Sequence, residues 1–240
     1  MRLPFLIVQT GTPVLPMRRH GGFPHWIRVA AGLQREDAVV VDVESGERPP
    51  SPRGFAGIIV TGSGAMVSDR APWSEACAEW LRAAIGQGRH VFGICYGHQL
   101  IAHALGGEVG DNPAGREMGT VEVRLDAPAA DDPLCTDAPA RFLAQATHQQ
   151  TVLRAPPHAA PLAHTDQDRH ATLRFAENAW GVQFHPEFSA GHMRGYVAAR
   201  AAALRQEGRN PIAVHAAVRA TPAARAILRQ FVRRAVRLAG

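Results

Sequence analysis

Short apolar runs rich in valine, isoleucine and leucine alternate with helical stretches through the first hundred residues. Phe23–Leu33 is predicted to be a short helix, and Trp73–Ile85 carries apolar residues at helical spacing. The apolar runs predict buried strands at Leu3–Val8, Ala38–Val43, Gly57–Thr61 and His90–Ile94. Strands that alternate with helices in this way predict a parallel sheet that is covered by helices on both faces.

The pattern changes after Gly119. Thr120–Leu125 alternates strictly between apolar and polar residues, as a half-buried strand does. Further short strands are predicted at Arg141–Gln145, Leu162–His164, Ala171–Ala176 and Trp180–Phe184, and closing helices at Ala190–Gln206 and Pro222–Leu238. The fold class expected from the whole pattern is α/β, with a doubly wound, mostly parallel sheet flanked by helices and an additional strand-rich layer.

Composition narrows the class of protein. A chain of 240 residues, 46% of them hydrophobic, is long enough for one ordinary domain with a large core. Its three cysteines, Cys77, Cys95 and Cys135, are odd in number and far apart. This spacing excludes a disulfide framework and favours a reduced, cytoplasmic setting. The first residues lack the features of a signal peptide, and no apolar run reaches the roughly 18 residues that span a bilayer.

The net charge does not point to a polyanionic partner. The 26 basic residues are all arginine, they outnumber the 21 acidic residues by five, and they are scattered along the chain. Arginine without lysine, together with abundant alanine, is typical of the codon usage of a GC-rich genome. The excess of positive charge is therefore weak evidence for nucleic-acid binding. We expect neither a nucleic acid nor a membrane as a partner.

The segment Phe92–Gly107 carries the most specific chemical signal. Here a predicted strand runs into Cys95 and then directly into a helix, with Gly93 and Gly97 two residues to either side. These glycines permit a very sharp turn, the cysteine counterpart of the Gly-x-Ser-x-Gly nucleophile elbow. Such a turn presents the sulfur at the tip of the sheet, where a helix N-terminus favours the thiolate. The alternative, a buried structural thiol, does not account for the flanking glycines.

A second segment, Trp180–Phe188, supplies a candidate base. An apolar strand is predicted to end at His185, Pro186 stops it, and Glu187 follows. In an extended chain residues i and i+2 point the same way, so Glu187 can reach one ring nitrogen of His185. Such a carboxylate fixes the imidazole tautomer and stabilises the imidazolium. A surface histidine and glutamate at a strand end are the alternative, which the presence of both segments in one chain disfavours.

The two motifs, GICYGHQ and GVQFHPE, resemble those of the class I glutamine amidotransferases in order and in their 90-residue separation. The resemblance extends over about Leu3–Phe188. VTGSGA stands in the place of the family's glycine-rich oxyanion strand, GREMGTVEV resembles a segment of the glutaminase domain of GMP synthetases, and HQQTV resembles a His-x-Asp-x-Val stretch. The resemblance implies a flavodoxin-like glutaminase fold, with an amidotransferase domain over residues 1–189 and a C-terminal helical extension, residues 190–240, packed on the same domain.

The resemblance also assigns roles to individual residues. It implies a catalytic triad of Cys95, His185 and Glu187, and an oxyanion hole formed by the backbone N–H groups of Gly62 and Tyr96. Gln99 would help to seat the substrate. The implied reaction is hydrolysis of L-glutamine to glutamate and ammonia through a thioester, with no metal or organic cofactor.

One position departs from the family pattern. Where many relatives carry His-x-Asp, this chain has Gln150, and a neutral amide cannot offer the same ionic partner to the amino-acid end of the substrate. The twelve histidines do not suggest a metal site, since His98 and His103 face differently on their predicted helix and His158, His164 and His170 lack ligand-like clustering with carboxylates. The loop Asp111–Met118 follows the elbow helix and is either a cover over the site or a plain surface loop.

Three functions remain open at this point. The first is a glutaminase, with a possible synthetase partner in trans, because no Gly-x-x-x-x-Gly-Lys phosphate loop is present in the sequence. The second is a γ-glutamyl peptide hydrolase that shares the triad but accepts a bulkier leaving amine. The third is a catalytically silent binding or regulatory module, against which the complete triad argues.

Overall fold

The computed structural model describes residues 3–239, and these residues form strands and helices in alternation. The strands of this part of the chain are β1 (Phe5–Gln9), β2 (Ala38–Asp42), β3 (Gly57–Val60), β4 (Val91–Ile94), β5 (Glu108–Asp111), β6 (Glu117–Leu125), β7 (Arg141–His148), β8 (Gln150–Arg154), β9 (Ala160–His164), β10 (Thr172–Ala176) and β11 (Ala179–Val182). The helices are α1 (Phe23–Ala31), α2 (Pro72–Gly86), α3 (Tyr96–Ala104), α4 (Ala190–Ala199), α5 (Ala201–Gln206), α6 (Pro211–Ala217) and α7 (Pro222–Ala239).

Within the described residues, nine of these strands build one sheet in the order β2-β1-β3-β4-β11-β10-β9-β6-β7. The strands from β2 to β11 are parallel neighbours, whereas β10, β9, β6 and β7 pair antiparallel. The strand-rich second half of the chain thus continues the parallel sheet. Only Glu177 and Asn178 separate β10 from β11, which is too short for a parallel crossover and requires a hairpin. Strands β5 and β8 form a separate ribbon.

Helices cover both faces of the parallel part, as the alternation of strands and helices predicts. Along β1, Phe5 and Ile7 belong to one apolar core and Leu6 and Val8 to the other, because successive side chains point to opposite faces. Helices α1 and α7 close the first core, while α2 and α3 close the second. The α/β class and the doubly wound arrangement are therefore confirmed.

The helix predicted over Ala190–Gln206 is divided in two at Arg200. Arg200 has φ −103° and ψ 14°, outside the α-helical range, and α5 starts immediately after it. Leu204 of α5 belongs to the same buried cluster as Met193 and Tyr196 of α4. The alanine-rich sequence contains no signal for such a break.

Three of these strands and helices were not predicted: β5, β8 and α6. All are short, and β8 begins only one residue after β7 ends, so the two strands look like one continuous segment in the sequence. Across residues 3–239, no helix combines the length and the apolar character that a membrane crossing requires.

Candidate active site

Cys95 lies at the junction of β4 and α3, at the carboxyl edge of the parallel sheet. Its φ of 51° and ψ of −102° are unusual for a residue with a side chain. A backbone conformation of this kind costs about 1–3 kcal/mol and persists where the surrounding structure enforces it. The sharp strand-to-helix turn expected at Cys95 is present, and the sulfur lies at the N-terminus of α3.

Gly93 is the reason that this turn can be so tight. A Cβ atom at Gly93 would lie 2.5 Å from the carbonyl carbon of Gly97 and 2.6 Å from the backbone nitrogen of His98. No side chain fits against backbone atoms at that distance. The helix therefore starts directly over the end of β4, and the spacing of the two glycines in the sequence has a steric cause.

His185 follows β11, the parallel neighbour of β4, and its ring is held on several sides. The Nδ1 atom donates to Glu187 Oε1 across 2.7 Å, and both side chains are almost fully buried. The ring of Phe188 stacks on the imidazole with centroids 4.2 Å apart, and Phe23 at the start of α1 stacks at 6.3 Å. Glu187 therefore fixes the tautomer, and the aromatic rings fix the orientation of the imidazole.

The remaining ring nitrogen, His185 Nε2, forms no hydrogen bond with the described residues. A Cβ atom at Gly62 would lie 3.0 Å from His185 Cε1 and 3.7 Å from Cys95 Cβ, so these three residues surround one small region. Burial lowers the pKa of His185, but the Glu187 carboxylate and the Cys95 sulfur outweigh burial and raise it to about 10. The arrangement favours an imidazolium beside Cys95.

Two backbone N–H groups in this region are held in place through their own peptide carbonyls. The Gly62 N–H belongs to the peptide whose carbonyl, that of Thr61, accepts from Gly97 N at 3.1 Å and from Thr10 Oγ1 at 2.9 Å. In a trans peptide the N–H points opposite to the C=O, so these contacts set its direction. In the same way, Gln99 N donates to the Cys95 carbonyl and sets the direction of the Tyr96 N–H. Within residues 3–239 neither N–H has an acceptor.

A small cavity of about 40 Å³ opens beside Cys95. Cys95, Tyr96 and Gln99 lie in its wall together with Ser63–Met66, Arg116, Thr147–Gln150 and Arg200. The amide nitrogen of Gln99 donates to the Gln150 carbonyl at 2.6 Å and to Gln183 Oε1 at 2.9 Å, which fixes its side chain. Every residue expected at the site therefore lies in this one region of the molecule.

The other cysteines lie away from this region. Burial raises the pKa of the Cys77 thiol and of the Cys135 thiol to about 12, which keeps both protonated at neutral pH. No cluster of His, Cys, Asp and Glu in the described part of the chain has an arrangement that could hold a metal ion.

Several residues at the site were not identified from the sequence. Phe23 and Phe188 pack the imidazole, and only tertiary structure brings Phe23 there. Arg116, in the loop Asp111–Met118, and Arg200, at the break between α4 and α5, both reach the cavity wall. Scattered arginines give no sign in a sequence of which ones will be buried.

Comparison with known proteins identifies the family. The family described as glutamine amidotransferase class-I matches residues 29–202. A glutamine-hydrolyzing GMP synthase subunit of Ignicoccus hospitalis is 35% identical over 144 residues, which cover 58% of this chain and 71% of that protein. A glutamine-hydrolyzing GMP synthase of Aeropyrum pernix is 38% identical over 133 residues, which cover 55% of this chain but only 24% of that protein. Gamma-glutamyl peptidase 4 of Arabidopsis thaliana is 28% identical over 160 residues, which cover 66% of this chain and 63% of that protein.

Solved structures agree on the fold. A glutamine amidotransferase from Thermotoga maritima superposes with a TM-score of 0.73 at 19% identity and covers 98% of this chain and 99% of its own. A glutamine amido transferase from Methylobacillus flagellatus superposes with a TM-score of 0.73 at 21% identity, and the match covers 97% of this chain and 95% of that chain. The family match extends over well more than half of the chain and includes the elbow and the histidine strand. This chain belongs to the class I glutamine amidotransferase family.

Proposed function

We propose that this protein hydrolyses the side-chain amide of L-glutamine and releases ammonia, with Cys95, His185 and Glu187 as the catalytic triad. The observation that carries the proposal is the pairing of His185 with Glu187 at 2.7 Å, which leaves Nε2 without a partner among the described residues while Cys95 lies close enough to raise the pKa of the imidazole. A nucleophile, a base and a group that orients the base are the three parts that this chemistry requires.

The reaction follows from this arrangement in two stages. The Cys95 sulfur attacks the amide carbon, and the C–N bond breaks as His185 gives its proton to the departing ammonia. The acyl group remains on Cys95 as a thioester. His185 then takes a proton from a water molecule, whose oxygen attacks the thioester carbon and releases glutamate and the thiol.

The N–H groups of Gly62 and Tyr96 serve the tetrahedral intermediates of both stages. Negative charge develops on the former amide oxygen, and fixed donors that need no rearrangement stabilise it by about 2.7–4 kcal/mol each. Gly62 suits this role because a Cβ atom there would press against His185. Gln99 lines the cavity beside Cys95 and seats the acyl half of the substrate.

The ammonia passes to a partner chain with synthetase activity. Support for a partner comes from the Ignicoccus relative, whose name describes it as one subunit of a synthase. A glutaminase that is coupled to a synthetase needs its partner for the full rate, so we expect low activity from the isolated chain.

A γ-glutamyl peptide hydrolase is the second candidate, and the similarity to gamma-glutamyl peptidase 4 favours it. Glutamine and γ-glutamyl peptides present the same acyl half to Cys95 and differ in the leaving amine. The small size of the cavity beside Cys95 supports glutamine, whose leaving group is ammonia, over a dipeptide.

Two measurements on the purified protein test the proposal. A diazo-ketone analogue of glutamine should label Cys95 ahead of Cys77 and Cys135, as read by peptide mapping; label mainly on Cys77 or Cys135 would refute the assignment of the nucleophile. Ammonia release should be abolished in Cys95→Ala and in His185→Ala, and Glu187→Gln should retain a trace, because the carboxylate only orients and stabilises the imidazolium.

The choice between the two substrates needs the specificity constants for glutamine and for a γ-glutamyl dipeptide. We expect glutamine to have the higher kcat/KM. A preference of about a hundredfold for the dipeptide, roughly 2.7 kcal/mol of transition-state discrimination, would assign the protein as a peptidase.

A further inference from the structure

Two arginines from different parts of the fold meet in the wall of the cavity that contains Cys95. Arg116 lies in the loop between β5 and β6, and Arg200 is the residue at which α4 ends and α5 begins. The break after α4 thus occurs where an arginine side chain enters the cavity.

The two guanidinium groups are incompletely paired. The Arg116 side chain is 5% exposed, and its Nε donates to Glu207 Oε1 at 2.9 Å, but its Nη1 is buried without an acceptor among the described residues. The Nε of Arg200 is likewise buried and unpartnered, and no carboxylate within residues 3–239 forms an ion pair with Arg200. Arg116 is paired through its Nε alone, and no ion pair among the described residues compensates the half-buried Arg200, so the two adjacent cations favour an anion bound in the cavity.

The electrostatics agree with this geometry. Burial lowers the pKa of Arg200, and the positive charge of Arg116 lowers it further. Tyr196, the Cys95 sulfur and Glu207 act in the opposite direction, and Arg200 and Cys95 lie in the wall of the same cavity. A group that binds Arg200 therefore lies near the reacting centre.

No aspartate or glutamate contributes to the described wall of the cavity. Glu117 and Asp168 lie behind His148, with Asp168 Oδ2 3.3 Å from His148 Nε2. Gln150 carries no charge, and most of its hydrogen-bonding capacity is used within the protein. Its amide nitrogen donates to Ser68 Oγ at 2.6 Å and to Asp111 Oδ1 at 3.2 Å, and its Oε1 accepts from Ser68 N.

We infer that Arg200, together with Arg116, binds the α-carboxylate of the acyl donor, and that the cavity has no ionic site for the α-ammonium group. This inference rests on the proposed function. A planar guanidinium matches a carboxylate with two parallel hydrogen bonds, and only a short saturated chain separates the α-carboxylate of glutamine from its side-chain amide.

The α-carboxylate therefore defines the class of substrate. The site accepts γ-amides with a free α-carboxylate, whether the α-nitrogen is charged, acylated or absent. It discriminates against amides whose α-carboxylate is blocked. Many relatives carry an aspartate where this chain has Gln150. The site described here would recognise the substrate through its α-carboxylate rather than through its α-ammonium group, which is consistent with the neutral residue at position 150.

The kinetic test compares L-glutamine with its α-amide, in which the carboxylate is neutralised, and with N-acetyl-L-glutamine. In the wild type, kcat/KM should be roughly 10- to 100-fold lower for the α-amide, as expected for loss of one charge-assisted hydrogen bond, and within about fivefold of glutamine for the N-acetyl compound. In Arg200→Gln, kcat/KM for glutamine should fall by a similar factor, chiefly because KM rises. The kcat/KM for the α-amide should be nearly the same as in the wild type.

Arg205→Gln is the matched control, since Arg205 lies exposed beside the helix end that carries Glu207 and outside the cavity. This variant should keep the full preference of the wild type. Equal kcat/KM for glutamine and its α-amide in the wild type, or rejection of N-acetyl-glutamine by more than about a hundredfold, would overturn the inference.

A binding measurement keeps the inference separate from the proposed hydrolysis. Calorimetry would follow glutaramate, the glutamine analogue without an α-amino group, on Cys95→Ala protein. Binding should weaken at least about tenfold when Arg200→Gln is added and should be unchanged when Arg205→Gln is added. Equal binding in all three would refute the carboxylate site even if the enzyme hydrolyses glutamine. Selective loss in the Arg200 variant would support it even if no ammonia is released.

Discussion

Gly97 of α3 approaches Val60 of β3 so closely that a Cβ atom on the glycine would lie 2.6 Å from the valine carbonyl oxygen. The backbone of α3 contacts the backbone of β3 at this point, and neither α3 nor β3 can move away without displacing the turn at Cys95. Gly97→Ala should therefore lower the free energy of unfolding by about 1–3 kcal/mol, the usual cost of overpacking, despite the better helix propensity of alanine.

Denaturant unfolding of Gly97→Ala and of Gly86→Ala gives the comparison. Gly86 is the last residue of α2, is exposed, and would place a Cβ atom in open space. Its alanine variant should be as stable as the wild type or slightly more stable. Equal stability of the two variants would contradict a steric role for Gly97.

The backbone of Cys95 gives a second prediction, on the cost of the elbow. With φ at 51° and ψ at −102°, a residue with a Cβ atom is strained, and glycine is not. Cys95→Gly should therefore be more stable to urea than Cys95→Ala by about 1 kcal/mol, although both variants lack the nucleophile. If Cys95→Ala were the more stable of the two, the elbow would carry no strain.

The hydroxyl of Thr10 should matter for catalysis, because it helps to hold the peptide that carries the Gly62 N–H. Thr10 Oγ1 lies 2.9 Å from the Thr61 carbonyl oxygen and is fully buried. Thr10→Val removes this contact at nearly constant volume. We expect kcat for glutamine to fall about tenfold with little change in KM, since the donor acts on the transition state.

Thr172→Val provides the control for Thr10→Val. Thr172 is also buried, but its Oγ1 has no hydrogen-bond partner among the described residues. This variant should retain the wild-type kcat. A change in kcat of the same size in both variants would point to a general packing effect rather than to the oxyanion peptide.

Protonated His185 should stabilise the fold over a defined range of pH. Burial lowers its pKa, but Glu187 and Cys95 raise it from 6.5 to about 10. A base with a raised pKa contributes stability that is complete below its unfolded pKa and is lost as the pH rises through its folded pKa. In urea titrations, the advantage of wild type over Glu187→Gln should be largest just below pH 6.5 and should shrink towards about pH 10. An advantage that grows with rising pH would argue against the ion pair.

The chemistry of the elbow could be predicted from the sequence because its causes are local. A side chain at Gly93 is excluded by Gly97 and His98, which are near neighbours in the chain. The same holds for His185 and Glu187, two residues apart in an extended segment, where the geometry of the strand end brings the side chains together. Patterns of this kind need no knowledge of the rest of the fold.

The cationic part of the cavity could not be predicted, because its causes are tertiary. Arg200 lies within an alanine-rich stretch that has every local property of one continuous helix. No local feature of the sequence marks the break there, and the position of Arg116 depends on its contact with Glu207, 91 residues away. The hairpin of β10 and β11, in contrast, has a local cause, since two connecting residues are too few for a parallel crossover.

The last helix of the chain lies over its first strand, and this has a consequence for biosynthesis. Phe231 of α7 contacts Phe5, Phe92 and Trp180, and Arg229 Nε donates to the Ala30 carbonyl at 2.8 Å. Until Pro222–Ala239 has left the ribosome, these aromatic side chains are uncovered, although all the proposed catalytic residues have been translated. The core under α7 therefore closes only after this helix has been translated, and the apolar face that is exposed until then is prone to aggregation.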